Sequence, residues 1–150
     1  MADWSELAEG FEYDAWANIK WLKCLAEKDN ADTEQAILGH ILSAQKMWAL
    51  RTMGESPSQM PVCSLTEDAI IDLCSEWQDL LFSMRHDPVI EYRRLNGDTM
   101  KMAVSQVIRH VINHGTYHRG EIRGLLLAKG DEQFPETDLM WFMLETQPRS

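Results

Sequence analysis

The chain has 150 residues, 45% of them hydrophobic, and a formal net charge of −10. That length and composition fit one domain, residues 1–150, with material for a core, and exclude wholesale disorder. So acidic a chain repels phosphate backbones and anionic bilayers, which excludes nucleic acid and membranes as general partners.

From Asp3 to about Glu27, apolar residues fall at Trp4, Ala8, Phe11, Ala15, Ile19, Leu22 and Ala26, the three-and-four spacing of one helical stripe. "KDNADT" breaks that pattern, and Asp32 or Thr33 is placed to cap a second helix through "EQAILGHILSAQKMWALRTM". Gly54 ends it, and "GESPSQMPVC" is a loop with two prolines. Ser64 and Glu67 have capping-box spacing ahead of a third helix carrying Ala69, Ile70, Leu73, Trp77, Leu80, Leu81 and Met84. Val89 to Leu95 is β-prone, and Asn96-Gly97 marks a hairpin turn before a second short extended piece. A fourth helix runs from about Ala103 to Lys129, with Gly130 as its stop, and "TDLMWFML" near the end is apolar enough to dock as a short helix. The expected fold is all-α: a four-helix bundle with a small β-hairpin between the third and fourth long helices.

Six Trp and nine Met read as packing residues. Cys24, Cys63 and Cys74 are odd in number and lack C-x-x-C spacing, which implies free thiols in a reducing compartment. "MADWSELAEG" has no basic start and no apolar run, and no segment reaches transmembrane length, so a soluble cytoplasmic protein is expected.

The chemistry concentrates in "RHVINHGTYHRGEI", where His110, His114 and His118 stand four residues apart. At about 100° per residue, and with Val104, Val107, Ile108, Val111, Ile122, Leu125 and Leu126 facing the core, His118 lies about 30° from the stripe centre, His114 about 70° and His110 about 110°. His114 and His118 therefore point inward and His110 toward solvent. Two imidazoles one helical turn apart can converge on one ion, but a third ligand must come from another helix. His40 supplies it: it shares an apolar face with Ile37, Ile41, Ala44 and Met47 and is the sole histidine of the first half. A buried neutral imidazole needs partners for its ring nitrogens, and a metal is one.

Other site types are excluded. "HGTYH" has no Glu between its histidines, so it is no zincin helix; paired E-x-x-H motifs, a glycine-rich phosphate loop and a G-x-S-x-G elbow are all missing. Glu121, almost directly above His114 on the helix, stands as a fourth ligand, an acceptor for a ligand histidine or a base, against a plain surface salt bridge. Arg119 or Arg123 is a candidate anchor for a carboxylate, against surface salt bridging. Tyr117 is a candidate proton donor, although its angle points away from the core stripe.

"NHGTYHRGEI" after an apolar helix resembles the H-x-x-x-H-R-G-Q segment of the DinB-like (YfiT-like) bundles. "GHILSAQKMWALRTMG", "YRRLNGD" and the final "TDLMWFML" fit the same pattern, so the likeness spans nearly the whole chain. The resemblance implies one divalent ion held by His40, His114 and His118, a homodimer packed through helices, and metal-dependent transferase or isomerase chemistry that uses a low-molecular-weight thiol on a small-molecule substrate. Zinc or nickel leads among the metals, with iron and manganese also accepting imidazole. A metal-dependent hydrolase and a non-catalytic metal-binding stress protein are the alternatives. Glu121 departs from the family's usual Gln and leaves the fourth coordination position open.

Overall fold

The computed structural model describes residues 2–147. They form five helices, α1 (Ser5–Ala26), α2 (Asp32–Thr52), α3 (Glu67–Phe82), α4 (Val104–Ala128) and α5 (Leu139–Thr146), and two strands, β1 (Val89–Arg93) and β2 (Thr99–Ala103). None of the helices is long and apolar enough to cross a membrane.

α1 lies against α2, α3, α4 and α5, so its burial extends well beyond one stripe. Ala8 and Phe11 are buried as the periodicity predicts, but Ala15, Ile19 and Leu22 are only half-buried. Tyr13, Asp14, Ala17, Asn18, Trp21 and Leu25 are buried instead. A helix enclosed by four neighbours has no single inward direction, and a stripe drawn from apolar residues alone passes over Asp14 and Asn18. One part of the core stacks Phe11 on Trp77, with ring centroids 4.9 Å apart, together with Trp4, Leu81, Val107 and Ile108. A second gathers Trp21, Leu25, Leu38, Ile41, Ile122 and Leu126 between α1, α2 and α4.

The helix ends differ locally from expectation. α2 starts at Asp32, but Ala31 is its N-cap, with no side-chain cap bond. α3 is capped by Thr66, whose Oγ1 accepts from the Ala69 N–H at 3.1 Å, so the expected Ser64–Glu67 box does not form. Thr66 can fill that role because Glu67 is already the first helical residue. α4 ends as Gly130 predicts. Gly130 takes φ +80°, its N–H reaches the Leu127 carbonyl and the Asp131 N–H reaches that of Leu126, the paired bonds of a Schellman stop.

β1 and β2 pair antiparallel, Val89 opposite Ala103 through Arg93 opposite Thr99. The turn is wider than the Asn96-Gly97 pair alone. Arg94 and Asp98 close it, and Gly97 at φ +94° donates to the Arg94 carbonyl. This is the three-residue loop in which Gly takes the left-handed position. The hairpin is joined to the helices on two sides: β1 packs against α2, and β2 leads into α4.

Candidate metal centre

α2 and α4 pack along their length, and this contact brings distant histidines together. His40 comes from the middle of α2; His114 and His118 come from successive turns of α4. The ring centroids are 5.0 Å apart for His40 and His114, 4.9 Å for His40 and His118, and 4.4 Å for His114 and His118. One ring nitrogen from each lies within 4.8 Å of the other two, making a group able to hold a metal ion. The cluster opens to the surface: His114 and His118 are half-buried and His40 is exposed.

The electrostatics suit the role of electron-pair donors. Burial, then the neighbouring His118, His40 and His110, push the His114 pKa down to about 4. Burial and then His118 also lower that of His40 from 6.5. Both rings are neutral at pH 7 and offer a lone pair. His118 is oriented from outside the cluster. Its Nδ1 lies 2.9 Å from Glu121 Oε1. A carboxylate oxygen accepts, so in the neutral ring this contact favours the tautomer with the hydrogen on Nδ1 and the lone pair on Nε2. Three imidazoles, two of them held neutral and one set in tautomer by a carboxylate, are a donor set that fits a divalent ion.

The other candidates separate clearly. Glu121 lies outside the three-residue group and serves as the acceptor for His118. Tyr117 is 74% exposed, with its ring edge-on to His118 at 5.1 Å. His110 is exposed as expected, yet it is not isolated, because its ring lies 5.6 Å from that of His114 and 5.5 Å from that of Trp48. Arg123 stacks over Phe134, 5.1 Å from the ring centroid.

Arg119 corrects the expectation of a surface ion pair or a substrate anchor. It is 2% exposed, and its Nη1 donates to Asp14 Oδ1 and Asn18 Oδ1, each at 2.8 Å. Asn18 Nδ2 in turn donates to Asp14 Oδ2 at 3.1 Å. One α-helical step, about 100°, separates Arg119 from His118, so the two side chains leave α4 in different directions. Arg119 enters the α1–α4 contact and His118 the α2–α4 contact. Asn18 stands seven residues after Phe11, almost in line with it on α1. A polar residue on that line was the available signal for this network.

Sequence reasoning also missed the wall beside His40. A hollow of about 550 Å³ is lined by His40, Ser43, Met60, Val62, Cys63 and Leu65, among others. The loop after α2 supplies its apolar side. Cys63 is not an activated nucleophile, since burial raises its thiol above the ordinary 9.0. All three cysteines are free.

A helical chain with a three-histidine group shared by two helices is the class that fold and site define. The DinB family model matches residues 5–150, and the chain belongs to that family. It is 26% identical over 162 aligned positions to Protein DinB of Bacillus subtilis (strain 168), covering 91% of this chain and 94% of the relative.

Proposed function

We propose that this protein is a divalent-metal-dependent enzyme whose ion is held by His40, His114 and His118. Its α1 to α4 are read as a four-helix bundle forming one domain of a homodimer. The observation that carries the reading is the convergence of the three imidazoles from two helices, with donor nitrogens within 4.8 Å of one another. Three protein ligands leave a position for a substrate, the pattern of catalytic sites; structural sites are closed.

When bound, such an ion supplies Lewis acidity that lowers the pKa of a thiol or water at the open position. The chain's own residues set the stage for that chemistry. His40 and His114 stay unprotonated at neutral pH, and Glu121 fixes the tautomer of His118. The open hollow on the His40 side of the group offers the half-buried Met60 and Leu65 to a small-molecule substrate. Thiol-dependent transferase or isomerase chemistry is the favoured reaction, with zinc or nickel as the metal, in a reducing cytoplasm consistent with three free cysteines.

The test begins with metal analysis of purified protein. About one equivalent of divalent metal is expected, with loss of metal in His40→Ala, His114→Ala and His118→Ala. Under about a tenth of an equivalent, with melting unchanged by chelator, sinks the site. Metal-loaded protein is then incubated with an electrophile and a panel of cellular thiols. A metal-dependent rate supports the enzyme, and no rate above background across the panel favours a non-catalytic binding protein.

A further inference from the structure

A charged side chain lies on the same face of α2 as His40. Arg51 follows His40 by eleven residues, which places it about 20° away in direction and about 16 Å further along the helix. It is 8% exposed. Its guanidinium stacks over Trp48 at 4.6 Å and over Tyr92 at 4.8 Å, and those two rings meet edge to face at 4.9 Å. Among the described residues no carboxylate pairs with it and no acceptor takes a hydrogen bond from its side chain; its Nε is buried without a partner.

In a chain with 24 acidic against 14 basic residues, a buried guanidinium without an acid is conspicuous. Arg119 also leaves its Nε buried without a partner, but its Nη1 is matched by Asp14 and Asn18, whereas Arg51 has no such match. Aromatic stacking stabilises the flat faces of a guanidinium but leaves its in-plane N–H donors unused. Burial lowers the Arg51 pKa from its ordinary value; Tyr92 opposes that shift and nearby Arg94 adds to it. An oxyanion in the plane of the fork would satisfy the donors and relieve both penalties. The position is also continuous with the histidine group. Trp48, which carries Arg51, lies 5.5 Å from His110, and His110 lies 5.6 Å from His114.

We propose that Arg51 is an anion-binding residue that orients the substrate of the histidine centre by a carboxylate or phosphate group. The substrate class is then an elongated molecule, its reacting end at the histidines and its oxyanion at the Trp48–Arg51–Tyr92 corner. As a substrate assignment this rests on the metal-centre reading; as an anion site it stands on its own geometry.

The experiment follows the arginine Nε–H signals of the zinc-treated full-length protein by NMR at low ionic strength. Inorganic phosphate is added in one arm, malonate in a second and sodium chloride at matched ionic strength in a third. The Arg51 signal, identified by its absence from Arg51→Lys, is expected to shift saturably with phosphate or malonate and not with chloride. Tighter binding of one of the two probes identifies the group as phosphate or carboxylate, and equal binding supports the shared oxyanion chemistry. In calorimetric titrations with the same probes, Arg51→Met is expected to weaken binding about tenfold or more, with the Lys variant between. An Arg51 signal that stays fixed to about 20 mM probe overturns the proposal, as does undiminished calorimetric affinity in Arg51→Met; if the variants fail to fold, the absence of any arginine Nε–H signal that shifts with either probe overturns it. Zinc content is measured on the same samples and should be unchanged in Arg51→Met. Loss of zinc binding in wild type with an intact Arg51 response breaks the metal reading alone, and the reverse breaks the anion site alone.

Discussion

Two side chains on one turn of α4 show how a single helical step divides labour. His118 faces α2 and receives its orientation from Glu121; Arg119 faces α1 and is consumed by Asp14. The Glu121 contact yields a direct expectation. Carboxylates behind ligand histidines contribute about 10- to 100-fold to metal affinity. Glu121→Ala should therefore weaken zinc binding about tenfold in a chelator competition, with Glu121→Gln intermediate because its amide oxygen still accepts. Equal affinity in all three proteins would show that Glu121 is a surface carboxylate only. The Arg119 side depends on a glycine. A methyl on Gly115 would collide with the Asp14 carboxylate and come within 2.9 Å of Arg119 Nη1. Neither group can withdraw without leaving a charge buried and unpaired, so Gly115→Ala should cost about 3 kcal/mol in urea unfolding. A midpoint within error of wild type would mean that the pair can shift. His114 and His118 were legible because helical phase turns them toward the core; His40 was read as inward from its apolar neighbours but is exposed, and the packing of α2 on α4 is what brings it to the other two. The role of Arg119 was not, because its partner lies 105 residues away and a charged residue is read as surface by default.

At the scale of elements, the ends of α2 and α4 are clasped by one ion pair. Lys129 Nζ, just past α4, lies 2.6 Å from Glu34 Oε1 in the first turn of α2 and also donates to the Asn30 carbonyl at 2.9 Å. The clasp sits at one end of the α2–α4 contact that the histidines share. The hydrogen bond from Lys129 holds the Glu34 pKa below its ordinary 4.5, burial opposing it. The sign follows from linkage. A carboxyl depressed in the folded state adds stability that is full above about 4.5 and is lost as pH falls through the folded value. Urea unfolding between pH 7 and pH 3 should therefore show wild type losing more stability on acidification than Glu34→Gln. Parallel curves for the two proteins would show that the clasp contributes nothing. Helix periods and their glycine stops were readable, because three-and-four spacing and a left-handed Gly130 are local properties. The buried face of α1 and the Thr66 cap were not. Which of several polar residues caps a helix, and which sides of α1 are covered, are decided by what packs nearby.

For the whole molecule, α5 poses a question of stability. An isolated helix of eight residues does not persist in water and must be held by packing. Here only Phe142 is buried, against Tyr13 and Trp16 at ring distances of 5.7 and 5.6 Å. Leu139, Met140, Trp141, Met143 and Leu144 are all exposed, and the groove beside them continues to an exposed Phe82. The row itself, Leu139 to Leu144, carries no charge and suits a second copy of the chain better than water, while Glu9 and Glu12 line the groove beside it. The remaining acidic surfaces would repel, so added salt should tighten the dimer rather than loosen it. Light scattering on the eluting protein should give twice the 17.3 kDa chain mass, more completely in about 0.5 M than in about 0.02 M sodium chloride. The double variant Trp141→Glu, Met143→Glu should run as a monomer, with dimer affinity reduced about a hundredfold or more. It should keep its zinc, because α5 packs on α1 and the histidines lie between α2 and α4. A wild type that stays monomeric at about 100 µM, where an interface of standard size is saturated, would remove the dimer and leave the exposed row of α5 to another role.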